Sequence, residues 1–195
     1  DYSHAEGNNT TATGSYSHAE GNGTRASGLA SHAEGTSTTA SATYSHAEGQ
    51  QSIASGVISH AEGFSTVSQG FGSHAEGIST LSSGFYSHAE GNSTIARGEY
   101  SHTEGYLTST TTEASGSHAE GYNTSTSAEY AHSEGSASNA SGIASHTEGR
   151  ATITLGSYSH AEGAETVAIG ENSHAEGDST SASGSNTHTE GESTI

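Results

Sequence analysis

The sequence predicts an all-β chain wound as a parallel β-solenoid, or β-roll, of 14-residue coils with two short strands per coil, and three observations lead there. The pentad SHAEG recurs, for example at 31–35, 45–49, 59–63 and 73–77, each copy 14 residues after the last. A looser motif of small residues stands between copies, as in TTATG at 10–14, TRASG at 24–28, TIARG at 94–98 and TVAIG at 166–170. Within both motifs the small residues alternate, and a period of two is the mark of a strand.

Composition removes the competing classes. Only 28% of the 195 residues are hydrophobic, and Pro, Cys, Met and Trp are all absent, so an ordinary globular core is out of reach. Low hydrophobicity with a formal charge of −19 is the signature of disorder, but a disordered chain has no physical need for a fixed register. Helix fails because each glycine would cost about 0.5–1 kcal/mol relative to alanine.

Alternation assigns the faces. Ser31, Ala33 and Gly35 are expected inward with His32 and Glu34 outward, and Thr38 and Ala40 inward with Thr39 and Ser41 outward. Only small side chains then lie between the strands, which predicts a flat, tightly wound coil. Coils hydrogen-bonded at the usual strand spacing of about 4.7–4.9 Å stack identical residues into ladders, and fourteen of them make a rod of roughly 65 Å. Inward hydroxyls are expected to bond to turn backbone, because a buried unpaired one costs about 1–3 kcal/mol.

The domain reading is a single array over 1–195. The spacing departs from 14 once, reaching 16 between His102 and His118, and the two extra residues within TTTEASG at 110–116 read as a lengthened turn. Because the chain starts at Asp1 and contains no methionine, it is expected to be a segment of a longer protein.

Three arginines, Arg25, Arg97 and Arg150, stand against 22 acidic residues, a balance that repels nucleic acid and anionic membranes. No apolar run is long enough to span a bilayer, so neither a nucleic-acid partner nor direct membrane insertion is expected. Without cysteine there is no disulfide and no thiolate metal site.

The chemistry-bearing residues are few and repeated. The histidines are His4, His18, His32, His46, His60, His74, His88, His102, His118, His132, His146, His160, His174 and His188. Two residues after each stands a glutamate: Glu6, Glu20, Glu34, Glu48, Glu62, Glu76, Glu90, Glu104, Glu120, Glu134, Glu148, Glu162, Glu176 and Glu190. Imidazole with carboxylate is a ligand pair for zinc or nickel, yet nothing distinguishes one level from the next, so no metal or other cofactor is assigned beyond adventitious zinc or nickel. Catalysis is not expected, because fourteen equivalent copies offer no unique cleft and Ser31 points away from His32. The structural reading makes the pairs an inter-chain or inter-coil ladder, each His donating to a Glu. Protonating all 14 histidines moves the charge from −19 to −5. An adjacent carboxylate should raise the His pKa above about 6.5 and depress that of Glu, which predicts greatest stability in mildly acidic solution.

Aromatic residues often precede the pentad: Tyr2, Tyr16, Tyr44, Tyr86, Tyr100, Tyr130 and Tyr158. Such a row reads either as rings shielding a turn edge or as a ligand-stacking ladder, and the breaks at Ala30, Gly72 and Asn172 favour packing. The outward pairs Arg25/Ser27, Val67/Gln69 and Ile95/Arg97 break the threonine array an ice-binding face needs, and only Asp1 and Asp178 could serve as the turn aspartates of calcium-binding repeats.

The two seven-residue halves of Ser/Thr, Ala and Gly resemble the head repeat of YadA-type trimeric autotransporter adhesins, whose best-marked strand reads Ser-Val-Ala-Ile-Gly; TVAIG at 166–170 is a near match. SHAEG forms of the repeat also resemble segments of phage tail fibres and bacterial surface proteins. The resemblance covers all 195 residues. It implies a left-handed parallel β-roll that assembles with itself as a parallel homotrimer in an extracellular fibre, either a cell-surface adhesin or a virion fibre. In that family outward Val and Ile pack between chains, whereas the regular strand here carries His and Glu. Either the His/Glu face meets the neighbouring chains, or the second strand does, through Ile53, Val67, Leu81, Ile95, Ile153, Leu155, Val167 and Ile169. The first is favoured, because the outward pair of the second strand changes from Arg25 and Ser27 to Asn139 and Ser141. The function expected is a stiff structural segment that can present an adhesive surface to a host or matrix ligand. The alternative is a monomeric solenoid whose His/Glu face binds metal, mineral or carbohydrate.

Overall fold

A repeat of fixed length lets each coil hydrogen-bond to the next with every residue opposite its own counterpart. The computed structural model, which describes residues 2–194, has this arrangement in both of its two compact units, Asp1–Ala96 and Arg97–Ile195. In the first unit seven strands, from His4–Asn8 to His88–Asn92, form one parallel sheet, and seven two-residue strands, from Thr11–Ala12 to Ile95–Ala96, form another. The described residues of the second unit repeat the plan with seven strands from His102–Tyr106 to His188–Thr189 and six from Ser109–Thr110 to Ser181–Ala182. No helix occurs among the described residues. The expected all-β, parallel β-solenoid with 14-residue coils and two strands per coil is therefore the fold.

Register is strict. His32 stands opposite His18 and His46, and Ala33 opposite Ala19 and Ala47. The His32 N–H donates to the Ser45 carbonyl at 2.9 Å, and the Thr39 N–H to the Ser52 carbonyl at 2.9 Å. A slip of one residue would turn His32 inward and Ala33 outward, so the small-residue core and the backbone ladder select the same register.

That core holds no large side chain. Ala19, Ala26, Ala33, Ala40, Ala47, Ala54 and Ala61 form one fully buried cluster in the first unit, and Ala161, Ala168, Ala175 and Ala182 another in the second. Threonines are the largest fully buried side chains. At about 0.8 kcal/mol for each buried methyl group, alanines supply little, and continuous backbone bonding has to supply most of the rest.

Where serine opens the pentad, from Ser17 onward, it closes a turn, as expected of inward hydroxyls. Ser31 Oγ donates to the Gly28 carbonyl at 2.9 Å, Ser59 to Gly56 at 2.6 Å and Ser159 to Gly156 at 2.6 Å. The threonine column is only partly satisfied. Thr38 and Thr124 donate to the carbonyls of Glu34 and Glu120 at 3.0 Å, while Thr24, Thr66, Thr80, Thr94, Thr108 and Thr166 stand at the same place in their coils without a partner.

One predicted orientation is wrong. Ser31 and Ala33 are buried, but Gly35 is exposed at φ +102°, and a Cβ on it would lie 2.1 Å from the Gly49 carbonyl oxygen. The pentad glycine packs nothing inside the roll. It lets backbones of successive coils approach where no L side chain fits.

From Tyr16 onward the residue before each pentad is left-handed whatever its identity, with φ 58° at Tyr44, 59° at Ile58, 55° at Tyr86 and 53° at Asn172. A coil-to-coil bond holds it there: the Tyr44 N–H donates to the Leu29 carbonyl at 2.9 Å and that of Ile58 to Thr43 at 3.0 Å. Non-glycine residues pay about 1–2 kcal/mol in this region, most severely when β-branched. The tyrosines do not shield the edge closely, since Tyr16, Tyr44 and Tyr158 are each about 60% exposed.

The two residues added in 110–116 form an extra turn at Thr112 and Glu113, closed by the Ala114 N–H donating to the Thr111 carbonyl at 3.2 Å. Registers before the insertion stay aligned, with His102 opposite His118 and Ser109 opposite Ser125.

Three substitutions test these backbone arguments by urea denaturation. Gly35→Ala should lose at least about 3 kcal/mol through backbone collision, whereas Gly23→Ala, at φ +69° with Ser37 Oγ 3.6 Å away, should lose only about 1 kcal/mol; equal losses would refute the close-approach account. Ile58→Asn should gain about 0.5–1 kcal/mol, because asparagine accepts the left-handed conformation and Ile58 is already 53% exposed.

Candidate functional site

In each unit the outer face of the long-stranded sheet carries the histidines and glutamates of its pentads. Strand alternation puts the two side chains of one pentad on the same side, and the register stacks each upon its own kind. Imidazole centroids lie 4.7 Å apart at His32/His46 and His46/His60, and 4.8 Å at His146/His160, with planes within 5° of parallel. The stack loosens at the last rungs, where His4 meets His18 at 72° and His188 tilts 36° from His174.

At His118 and His174 the Nε2 sits between two carboxylates, that of its own pentad and that of the preceding coil. His174 Nε2 is 3.6 Å from Glu176 and 3.9 Å from Glu162, and His118 Nε2 is 3.8 Å from Glu120 and 3.9 Å from Glu104. His60 makes a hydrogen bond to Glu48 at 3.1 Å. At His46, His74 and His146 the separations to Glu34, Glu62 and Glu134 are 3.6, 3.6 and 3.7 Å, beyond the about 3.2 Å limit of a good hydrogen bond. The Nε2 atoms of His18, His32, His46, His74, His118, His132, His146, His160 and His174 are covered by their neighbours and have no hydrogen-bond partner. The expected ladder of His-to-Glu hydrogen bonds is thus mostly a ladder of longer, ion-pair separations.

The expected rise in histidine pKa is overturned as well. His46, His74 and His118 are held below the ordinary 6.5, first by burial and then by the imidazoles above and below, which together outweigh the nearby carboxylates. Glutamates do not all fall either. Glu76 is pushed up to about 7 by hydrogen bonding to Glu62 and then Glu90, and Glu120 to about 7 by Glu104 and then Glu134. Their neighbours Glu62 and Glu134 are lowered, chiefly by the same hydrogen bonds. Glu76 and Glu120 therefore hold a proton beside the more readily ionised Glu62 and Glu134, and at these rungs a shared proton does the work that interleaved histidines were expected to do. Register could have revealed this, since in-register stacking puts Glu on Glu at every rung.

The structure brings all 28 predicted ladder residues onto one kind of surface, but within a single chain. A shallow groove of about 290 Å³ lined by Glu48, Glu62, Glu76 and their following glycines is one stretch of that surface rather than a distinct cleft. Groups such as His32, Glu34 and His46 place one ligand atom each within 4.8 Å of one another. Ser31 is buried on the opposite side of its strand from His32. Compared with known proteins, the chain matches no protein-family model and no curated protein.

The pH dependence follows from these shifts. Below 6.5 the unfolded histidines take up protons that folded His46, His74 and His118 resist, so stability falls on acidification. Between 4.5 and about 7 folded Glu76 keeps a proton that the unfolded chain releases, so its contribution is lost as pH rises through that window. Glu62 and Glu134 lose theirs only on acidification below 4.5. The opposed slopes should place the highest denaturation midpoint between pH about 5 and 7. Glu76→Gln donates to its neighbours without needing a proton and should be more stable than the parent at pH 8 by about 0.5–1 kcal/mol; a loss at that pH would sink the shared-proton ladder.

Proposed function

We propose that the chain is a structural segment of an extracellular fibre, built from three parallel copies whose His/Glu faces meet along a common axis. The observation that carries this reading is the constancy of the outer face. From His46 to His88 in one unit and from His118 to His174 in the other, the imidazole side chains keep 33–37% of their surface exposed, at rung after rung. A partner that meets every rung alike must share its rise, and another copy of the chain does so by construction. Parallel copies related by an axis along the solenoid would then cover the exposed third of each imidazole with the same groups at every level.

The second sheet gives weaker support for association. Its outward residues include Ile53 at 39% and Leu155 at 53% exposure, but also Arg25, Asn139 and Ser141, which present a different chemistry at each level. These variable positions suit an adhesive or solvent-facing surface. The resemblance to YadA-type head repeats and phage fibre segments supports the same assembly and an extracellular place for it. No step of this role requires catalysis. A single-chain solenoid whose His/Glu face takes a ligand is the second reading, favoured by the close His–Glu–His groups.

Sedimentation equilibrium tests the assembly. The expected mass is about three times the chain's 19.5 kDa, and a chain that stays folded at 19.5 kDa overturns the fibre model.

A further inference from the structure

Three features of the His/Glu ladder point beyond packing. The first is distance. Nε2-to-carboxylate separations of 3.5–3.9 Å recur along the ladder, as at His88/Glu76, His46/Glu34 and His174/Glu162. They are too long for hydrogen bonds of about 2.7–3.2 Å. They are close to the about 3.4 Å that separates two ligands bound at about 2.1 Å at the tetrahedral angle of zinc. The second is that most of these Nε2 atoms are shut off from solvent yet unpartnered, including those of His32, His46, His146, His160 and His174. An unpaired buried polar atom is destabilising, a penalty that a bound cation removes. The third is the donor set. Two imidazole nitrogens and one carboxylate oxygen, within 4.8 Å of one another, recur at His32/Glu34/His46, His46/Glu48/His60 and His146/Glu148/His160.

We propose that the ladder is a one-dimensional array of sites for divalent transition-metal ions, each made by two histidines of successive coils and the glutamate between them. Imidazole with carboxylate suits zinc, cobalt or nickel rather than calcium or magnesium, which take all-oxygen shells. The fourth position is left to solvent or to a second carboxylate oxygen. A charge of −19 raises the local cation concentration along the chain. All three ligands come from one chain, so the proposal does not rest on trimer formation.

The geometry also limits occupancy. His46 belongs to two of these groups, and its single Nε2 can serve only one ion. Adjacent groups therefore exclude each other, and filling stops at one ion for every two histidines. Binding must also draw the paired rings together, from 4.7–4.9 Å toward about 3.4 Å at the ligating atoms, which tips each by about 0.7 Å. Gaps along a filled stack alternate between closed and open.

Titration of the intact chain with cobalt(II) at neutral pH tests this. The visible band of four-coordinate cobalt should appear, saturate at no more than six ions, three for the seven histidines of each unit, be displaced by zinc and be absent in the urea-unfolded chain. Two variants with equal histidine content sharpen the test. Replacing every second histidine, His18→Gln, His46→Gln and onward to His188→Gln, leaves no neighbouring pair and should abolish the band. Replacing the seven from His4 to His88 leaves seven in sequence, enough for three pairs, and should retain up to three ions. Circular dichroism checks that each variant folds; if the alternating variant does not, the parent's stoichiometry and the unfolded control decide. Binding beyond one ion for two histidines, equal binding by unfolded chain, or equal losses in the two variants would mean adventitious imidazole coordination only and overturn the proposal. Sedimentation with and without the metal reads association separately.

Discussion

Everything in this protein follows from the hydrogen bond that ties each coil to the next at strand spacing. Because the repeat length is constant, that bond makes every side chain the neighbour of its own copy. For alanine this is harmless packing, and for glycine it becomes a close backbone contact. For an ionisable group it is a problem, since like charges face each other at about 4.8 Å along the whole ladder. The chain meets the problem with chemistry rather than distance: at His46, His74 and His118 burial and the like neighbours disfavour the charged imidazole, and Glu76 and Glu120 each hold a proton against adjacent carboxyls.

The same constraint governs stability. With alanine and threonine as the interior, hydrophobic burial per coil is small, and each coil gains mainly from contact with the coils above and below. Stability then accumulates as a sum of nearest-neighbour terms, as in other repeat proteins. A local fault such as an unpartnered threonine hydroxyl is tolerated because the bonds on either side of it remain intact.

How far this could be read from the sequence depends on whether a property belongs to one coil or to the stack. Ser31 and Ala33 were legible as inward residues, and His32 and Glu34 as outward ones, because alternation is local. Gly35 was misassigned, since period two treats the strand as ideal while the chain bends to φ +102° there. The left-handed turns at Tyr44 and Ile58 were illegible, because side-chain preference points to glycine or asparagine and only the bond to the preceding coil explains the exception. The pKa directions failed for a related reason. Reasoning from one His and its adjacent Glu counts the attractive partner and omits both burial and the identical groups above and below. The His–Glu–His clusters are likewise properties of the stack, joining residues 14 positions apart.

The turn at Thr112 and Glu113 shows what such a scaffold permits. Two residues leave the winding path and return, and Ser109 still faces Ser125 while His118 still faces His132. Pitch is therefore indifferent to turn length. At this turn the chain can display two further residues while the rungs on either side keep their places, so within the unit the height of a rung is set independently of what the turn displays.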